Sequence, residues 1–190
     1  MTRKEAFQIL TKYLKNPNLI KHSLAAEAAM KGIYKYLHKD DFDQNEQDNW
    51  GITGLLHDVD YEIAMQTNQM DKHGLLIFEK EPNIPIDIAN GIKAHNWLTG
   101  VEPKSDMAWG IRCADQLTGL IVAATLVRPD KKIASLTTDS VQKRMNEKSF
   151  AKGAKREPIL QCEEKLGIPL KEFIEITLKS MQAIHEDLGL

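Results

Sequence analysis

The sequence predicts an all-α fold, a single-domain helical bundle. Apolar residues recur at steps of three and four, helix-start signals precede several of these runs, and no alternating strand pattern of the βαβ kind occurs. At 190 residues with 42% hydrophobic content, the chain is long enough to bury one sizeable core, so residues 1–190 are expected to form one domain.

The elements follow in order. Thr2 with Glu5 three residues later is a capping box, and Phe7, Leu10 and Leu14 continue at helical spacing until Asn16-Pro17-Asn18 ends the run. A second helix is expected over residues 19–38, where His22, Ala25, Ala26, Ala29, Ile33 and Leu37 share a narrow, alanine-rich face. The polar stretch 39–49 reads as a loop. Residues 50–59 are nearly all apolar until His57-Asp58 and read as helix, although Gly51 and Gly54 weaken the signal. After a loop over 60–71, short helices are expected at 73–80 and, opened by Pro85, at 85–97. Ser105 caps a long apolar helix reaching about Leu126, which Arg128-Pro129 terminates. Helices are further expected at 140–150, 155–166 and 170–188. In the last, Leu170, Phe173, Ile174, Leu178, Met181, Ile184 and Leu188 form one stripe that reads as core.

Composition narrows the function. A formal net charge of -2 supplies no global attraction to nucleic acid or to anionic membranes. The N-terminal residues lack the apolar stretch of a signal peptide, and no run approaches 18 apolar residues, so a cytoplasmic protein without membrane contact is expected. Cys113 and Cys162 lie in amphipathic patterns without Cys-x-x-Cys spacing and read as reduced, packed thiols. Apolar helical stripes serve a core and a dimer interface equally well, which leaves a homo-oligomer open.

The chemistry lies in the arrangement of six histidines and their acidic neighbours. His57-Asp58 closes an apolar segment, where an uncompensated carboxylate is costly. A divalent metal is the simplest compensation. Imidazole and carboxylate together suit iron, manganese, cobalt, nickel or zinc, and one carboxylate can bridge two ions. His38 and His185 fit no such pattern and read as solvated.

His22 in Lys21-His22-Ser23, the doublet in Leu56-His57-Asp58-Val59 and Asp115 in Ala114-Asp115-Gln116 stand in the order His, His-Asp, Asp, each on an apolar helical segment. In this the chain resembles the HD-domain metal-dependent phosphohydrolases over about residues 20–125, with 126–190 as a C-terminal helical extension. Over its whole length it is similar to a bacterial group labelled predicted HD-superfamily hydrolases. His73 and His95 match positions that subsets of the family use for a second ion. The resemblance implies a first metal on His22, His57, Asp58 and Asp115 and a second on Asp58, His73 and His95, with Asp58 as the bridge. It further implies that metal-activated water hydrolyses a nucleotide or another small phosphorylated metabolite. HD-fold di-iron oxygenases use the same six-ligand order, and a non-catalytic metal- or nucleotide-binding module is a third reading.

Asp60 and Glu62 follow the doublet, where other family branches place a carboxylate that orients water or protonates the leaving group. With Asp58 they are the expected catalytic acids, although their spacing departs from those branches. Between residues 128 and 156, nine basic residues (Arg128, Lys131, Lys132, Lys143, Arg144, Lys148, Lys152, Lys155 and Arg156) stand against three acids. Arg128, Arg156 and Lys143 are the first choices for binding substrate phosphate. Only Phe150 interleaves these charges, which disfavours nucleic acid.

Overall fold

In the structure, a computed structural model that describes residues 1–147 and 149–190, the described residues form helices and turns with no strand. The chain is all-α. Helix α1 (Arg3–Tyr13) opens on the expected capping box, with Thr2 Oγ1 accepting from the Glu5 N–H and Glu5 Oε2 accepting from the Thr2 N–H at 2.7 Å. Asn16 does more than end that helix. Its side chain caps α2 (Pro17–Leu37) by accepting from the Asn18 N–H, with Pro17 in the first turn.

Helix α3 (Gln44–Leu56) starts six residues before the apolar run, inside the stretch expected to be loop. Asp43 accepts from the N–H groups of Asn45 and Glu46, and this cap nucleates a polar first turn that hydrophobic periodicity does not register. The expected 60–71 loop contains α4 (Tyr61–Gln66), and the expected helix at 73–80 is reduced to a 3-10 helix at Leu76–Glu79 preceded by another at Met70–Lys72. Helices α5 (Ile86–His95) and α6 (Asp106–Leu126) stand close to expectation, the latter capped by Ser105.

The C-terminal third is more broken than its periodicity suggests. It comprises α7 (Thr138–Met145), α8 (Arg156–Leu160), α9 (Cys162–Leu166), α10 (Leu170–Ala183) and α11 (His185–Leu188). Phe173, Ile174, Leu178, Met181 and Leu188 of the predicted stripe are buried, as are both cysteines, which are unpaired. Burial pushes the Cys113 thiol up to about 12 and the Cys162 thiol to about 11, so both stay protonated and unreactive. Among the described residues, no helix is long and apolar enough to cross a membrane.

Two apolar clusters organise the packing. One joins α2, α6, α7, α9 and α10, and the other joins α1, α3 and α5. Helix α2 packs on α3, α6 and α10, while α5 packs on α3 and α6. The narrow alanine face of α2 (Ala25, Ala26, Ala29) is wholly buried, as predicted. Opposite it stands Gly54, where a Cβ would lie 2.5 Å from the Ala26 carbonyl oxygen. The glycine that weakened the helix signal in α3 is therefore what lets the two backbones meet. Close approach of α2, α3, α5 and α6 brings their polar residues together around one point in the packing.

Candidate metal centre

The six sequence-predicted ligands reach that point from five places in the chain. His22 comes from the first turns of α2, His57 and Asp58 from the turn closing α3, His73 from the link between the two 3-10 helices, His95 from the last residue of α5, and Asp115 from the middle of α6. His57, Asp58, His73 and His95 are buried; His22 and Asp115 are partly exposed at the rim. Two donor groups result, His22-His57-Asp58 and Asp58-His73-His95, with ligand atoms within 4.8 Å of one another in each. Asp115 joins the first, its Oδ1 lying 3.0 Å from His22 Nε2 and 3.6 Å from His57 Nε2.

The hydrogen bonds on the far side of each imidazole decide what these groups can hold. Carbonyl oxygens can only accept, so His57 Nδ1 donates to Gly54 O at 2.7 Å and His95 Nδ1 donates to Ile92 O at 2.6 Å. His73 Nδ1 donates to Asp60 Oδ1 at 2.7 Å. The Thr118 hydroxyl donates to Asp115 O, which leaves its oxygen to accept from His22 Nδ1. With a proton fixed on every Nδ1, all four Nε2 lone pairs point inward. His22 and His57 then face each other at 3.3 Å, and His73 and His95 at 3.2 Å. Two lone pairs at that separation repel unless a metal ion, or a proton on one ring of each pair, lies between them. The donor set therefore fits a divalent metal at each pair, with Asp58 reaching both: Oδ1 is 2.8 Å from His73 Nε2, and Oδ2 is 3.5 Å from His22 Nε2.

Proton binding reports the same demand for positive charge. Burial alone would lower the pKa of His57, but the Asp58 and Asp115 carboxylates outweigh it and raise it to about 9. His73, also opposed by burial, is raised to about 10 by Asp58 and Asp60. Burial and the neighbouring His73 and His57 hold His95 down against the pull of Asp58. Asp58 and Asp115 stay far below the usual carboxylate range, because the histidines overcome the cost of burying them. Both carboxylates are thus ionised acceptors suited to cations.

Two expected catalytic acids have other roles. Asp60 is fully buried, and its oxygens are occupied by His73 Nδ1, the Gly74 N–H at 2.9 Å and the Ile77 N–H at 3.0 Å. It orients His73 and is not free to touch water or substrate. Glu62 points away from the centre. Its carboxylate accepts from the N–H groups of Lys15 and Asn16 and ties α4 to the α1–α2 junction. Asp60→Asn is expected to leave the fold intact, weaken the ion on His73 and His95 about 10- to 100-fold, and spare the ion on His22 and His57. Titrating the wild-type chain and the variant with cobalt(II) and following the absorption checks this: loss of one of two binding phases is the expected result.

The three expected phosphate-binding residues are not at the centre. Arg128 lies 13 residues beyond Asp115, about 20 Å along the axis of α6. It bonds Ser135 and Asp130 and lines a separate cavity with Lys143. The two terminal nitrogens of Arg156 donate to the carbonyl oxygens of Phe150, Ala151 and Ala154, with longer bonds to Arg144 and Glu147, while its buried Nε has no partner among the described residues. Lys148 lies outside the described residues. The contribution of this segment is a loop whose Ala151, Gly153 and Ala154 border the cleft beside His22 and Asp115.

Other residues at the site carry no signal in the sequence alone. Gln116 Nε2 donates to Asp115 Oδ2 at 2.6 Å while its Oε1 accepts from the Lys155 N–H at 2.9 Å, which links a ligand to the overhanging loop. Asn96 donates to the carbonyls of Met70 and His73 and holds the His73 segment in place. Tyr61, Trp97 and Leu98 line the cleft over Asp58. His38 and His185 lie outside the site but are half-buried and not solvated as expected, His38 stacking on Tyr34 and pairing with Asp41.

Comparisons of the chain with family models, with curated proteins and with solved structures found no match. The functional reading accordingly rests on the geometry of the site.

Proposed function

We propose that the chain is a metal-dependent phosphohydrolase of the HD-domain type, acting at a dinuclear centre on a nucleotide or another small phosphorylated metabolite. The observation that carries this reading is the set of four inward Nε2 lone pairs arranged in two pairs around the single carboxylate Asp58. When bound, a pair of divalent ions supplies an acidified water and polarises a phosphoryl oxygen. The protein's own part is positioning. Gly54, Ile92, Asp60 and Thr118 fix the four rings, and Gln116 fixes Asp115. Gly153 and Trp97 narrow the approach to Asp58 and Asp115, which leaves a cleft of about 310 Å³, suited to a small substrate group.

Purification without chelator, followed by elemental analysis and a phosphate-release screen under manganese, iron, cobalt, nickel and zinc, tests the proposal. About two ions per chain and phosphate release from phosphorylated metabolites are expected. Failure to bind metal after reloading would overturn it, and so would a di-iron chain that consumes oxygen but releases no phosphate.

A further inference from the structure

A second cavity, of about 460 Å³, adjoins the metal cleft and is lined by Trp97, Arg112, Lys155, Glu157, Pro158 and Gln161. Trp97, 44% exposed, lines both cavities and forms the wall they share. Arg112 stands on α6 three residues before Asp115, on the same side of the helix and with its Cβ about 5–6 Å away.

Arg112 is poorly compensated for its depth. The residue is 8% exposed, and its Nε has no hydrogen-bond partner among the described residues. The other nitrogens reach only the Val101 carbonyl at 3.4 Å and, at 3.8 Å, the exposed carboxylate of Glu102. Stacking near Trp109, 5.7 Å from its ring centre, adds weak attraction and no counter-charge. Burial lowers its pKa, as it does for a cation lacking a close anion. A buried guanidinium is costly unless an anion meets it, and its fork matches the oxygens of phosphate or carboxylate. Lys155 adds a second cation in the same cavity, and Glu157 is the acid facing them.

We propose that Arg112 and Lys155 form an anion subsite beside the metal cleft, which selects substrates bearing a phosphate or carboxylate in addition to the group held at the histidines. The substrate then lies across Trp97, with its reacting phosphoryl group at Asp58 and Asp115 and its second anion at Arg112. The selection of substrate rests on the hydrolase reading, whereas the subsite itself does not.

Isothermal titration of the 190-residue Asp58→Ala chain with inorganic phosphate, and separately with succinate, tests the subsite with the metal centre disabled. Saturable binding of one of these anions is expected, and adding Arg112→Met should weaken it at least about tenfold. Which anion binds tells phosphate from carboxylate recognition. Should Arg112→Met fail to fold, Lys155→Met, at an exposed position, is expected to weaken the same binding severalfold. No saturable binding of either anion, or binding unchanged in the folded variants, would overturn the subsite. If the subsite binds its anion while the wild-type chain hydrolyses nothing, the hydrolase reading fails alone.

Discussion

For the dinuclear hydrolase proposed above, Asp58→Ala is expected to weaken both ions at once, taking metal content from about two per chain to less than one and abolishing metal-dependent phosphate release. Among the described residues, Asp58 is the residue common to both donor groups. Its Oδ1 lies within 3.5 Å of His57, His73 and His95, and its Oδ2 faces His22. Losing it removes the carboxylate shared by the two groups, leaving Asp115 alone to face His22 and His57 and no carboxylate against His73 Nε2 and His95 Nε2. Metal catalysis of this kind contributes several kcal/mol, so the rate should fall about a thousandfold or more. His95→Ala is the contrasting variant. It removes a ligand from one group only, and one ion should remain on His22, His57, Asp58 and Asp115. Elemental analysis beside circular dichroism separates metal loss from unfolding. Two ions retained in a folded Asp58→Ala chain would place the metals elsewhere.

Gly54→Ala is expected to have the largest effect on stability, about 3 kcal/mol or more, and to cost metal binding as well. The new Cβ would stand 2.5 Å from Ala26 O, 2.6 Å from Ala26 C and 2.8 Å from Glu27 N. These are backbone atoms within α2, so no side-chain rotation relieves the clash, and α2 must move off α3. That movement carries His22 away from His57 and disturbs the Gly54 carbonyl that orients the His57 ring. Gly119→Ala in α6 is the control: a Cβ there meets nothing within 4 Å, and the change should stabilise by up to about 1 kcal/mol through helix propensity. Denaturant unfolding monitored by circular dichroism measures both. Equal midpoints for the two variants would show that the α2–α3 contact can yield.

Four of the ligands stand out in sequence because they break a local rule, whereas His73 and His95 were named only through the resemblance in motif order. His57 and Asp58 end an apolar helix, and His22 and Asp115 interrupt apolar faces that would otherwise be filled by small or aliphatic residues. The supporting residues break none. Asp60 looks like any loop acid, and only the return of the chain at Gly74 and Ile77 surrounds it with donors. Arg156 looks like a phosphate binder, but the carbonyls of residues 150–154 converge on it once the loop folds back. Charge counting along the chain cannot tell a guanidinium facing solvent from one that organises a loop. Arg112 is silent in the sequence for the same reason, because a single arginine in an apolar helix carries no period or motif of its own.

The all-α class, the alanine face of α2 and the Ser105 start of α6 were determined by the sequence itself, since periodicity and caps are local properties, and the six candidate ligands were named there by a resemblance in motif order. Tertiary structure alone decided the extra turns that begin α3, the tautomer of every ligand histidine, the positioning role of Asp60, and the placement of Arg112 and not Arg128 beside the cleft. Those depend on which carbonyl, carboxylate or backbone N–H arrives from a distant part of the chain, and such arrivals are set by the packing of α2, α3, α5 and α6 against one another.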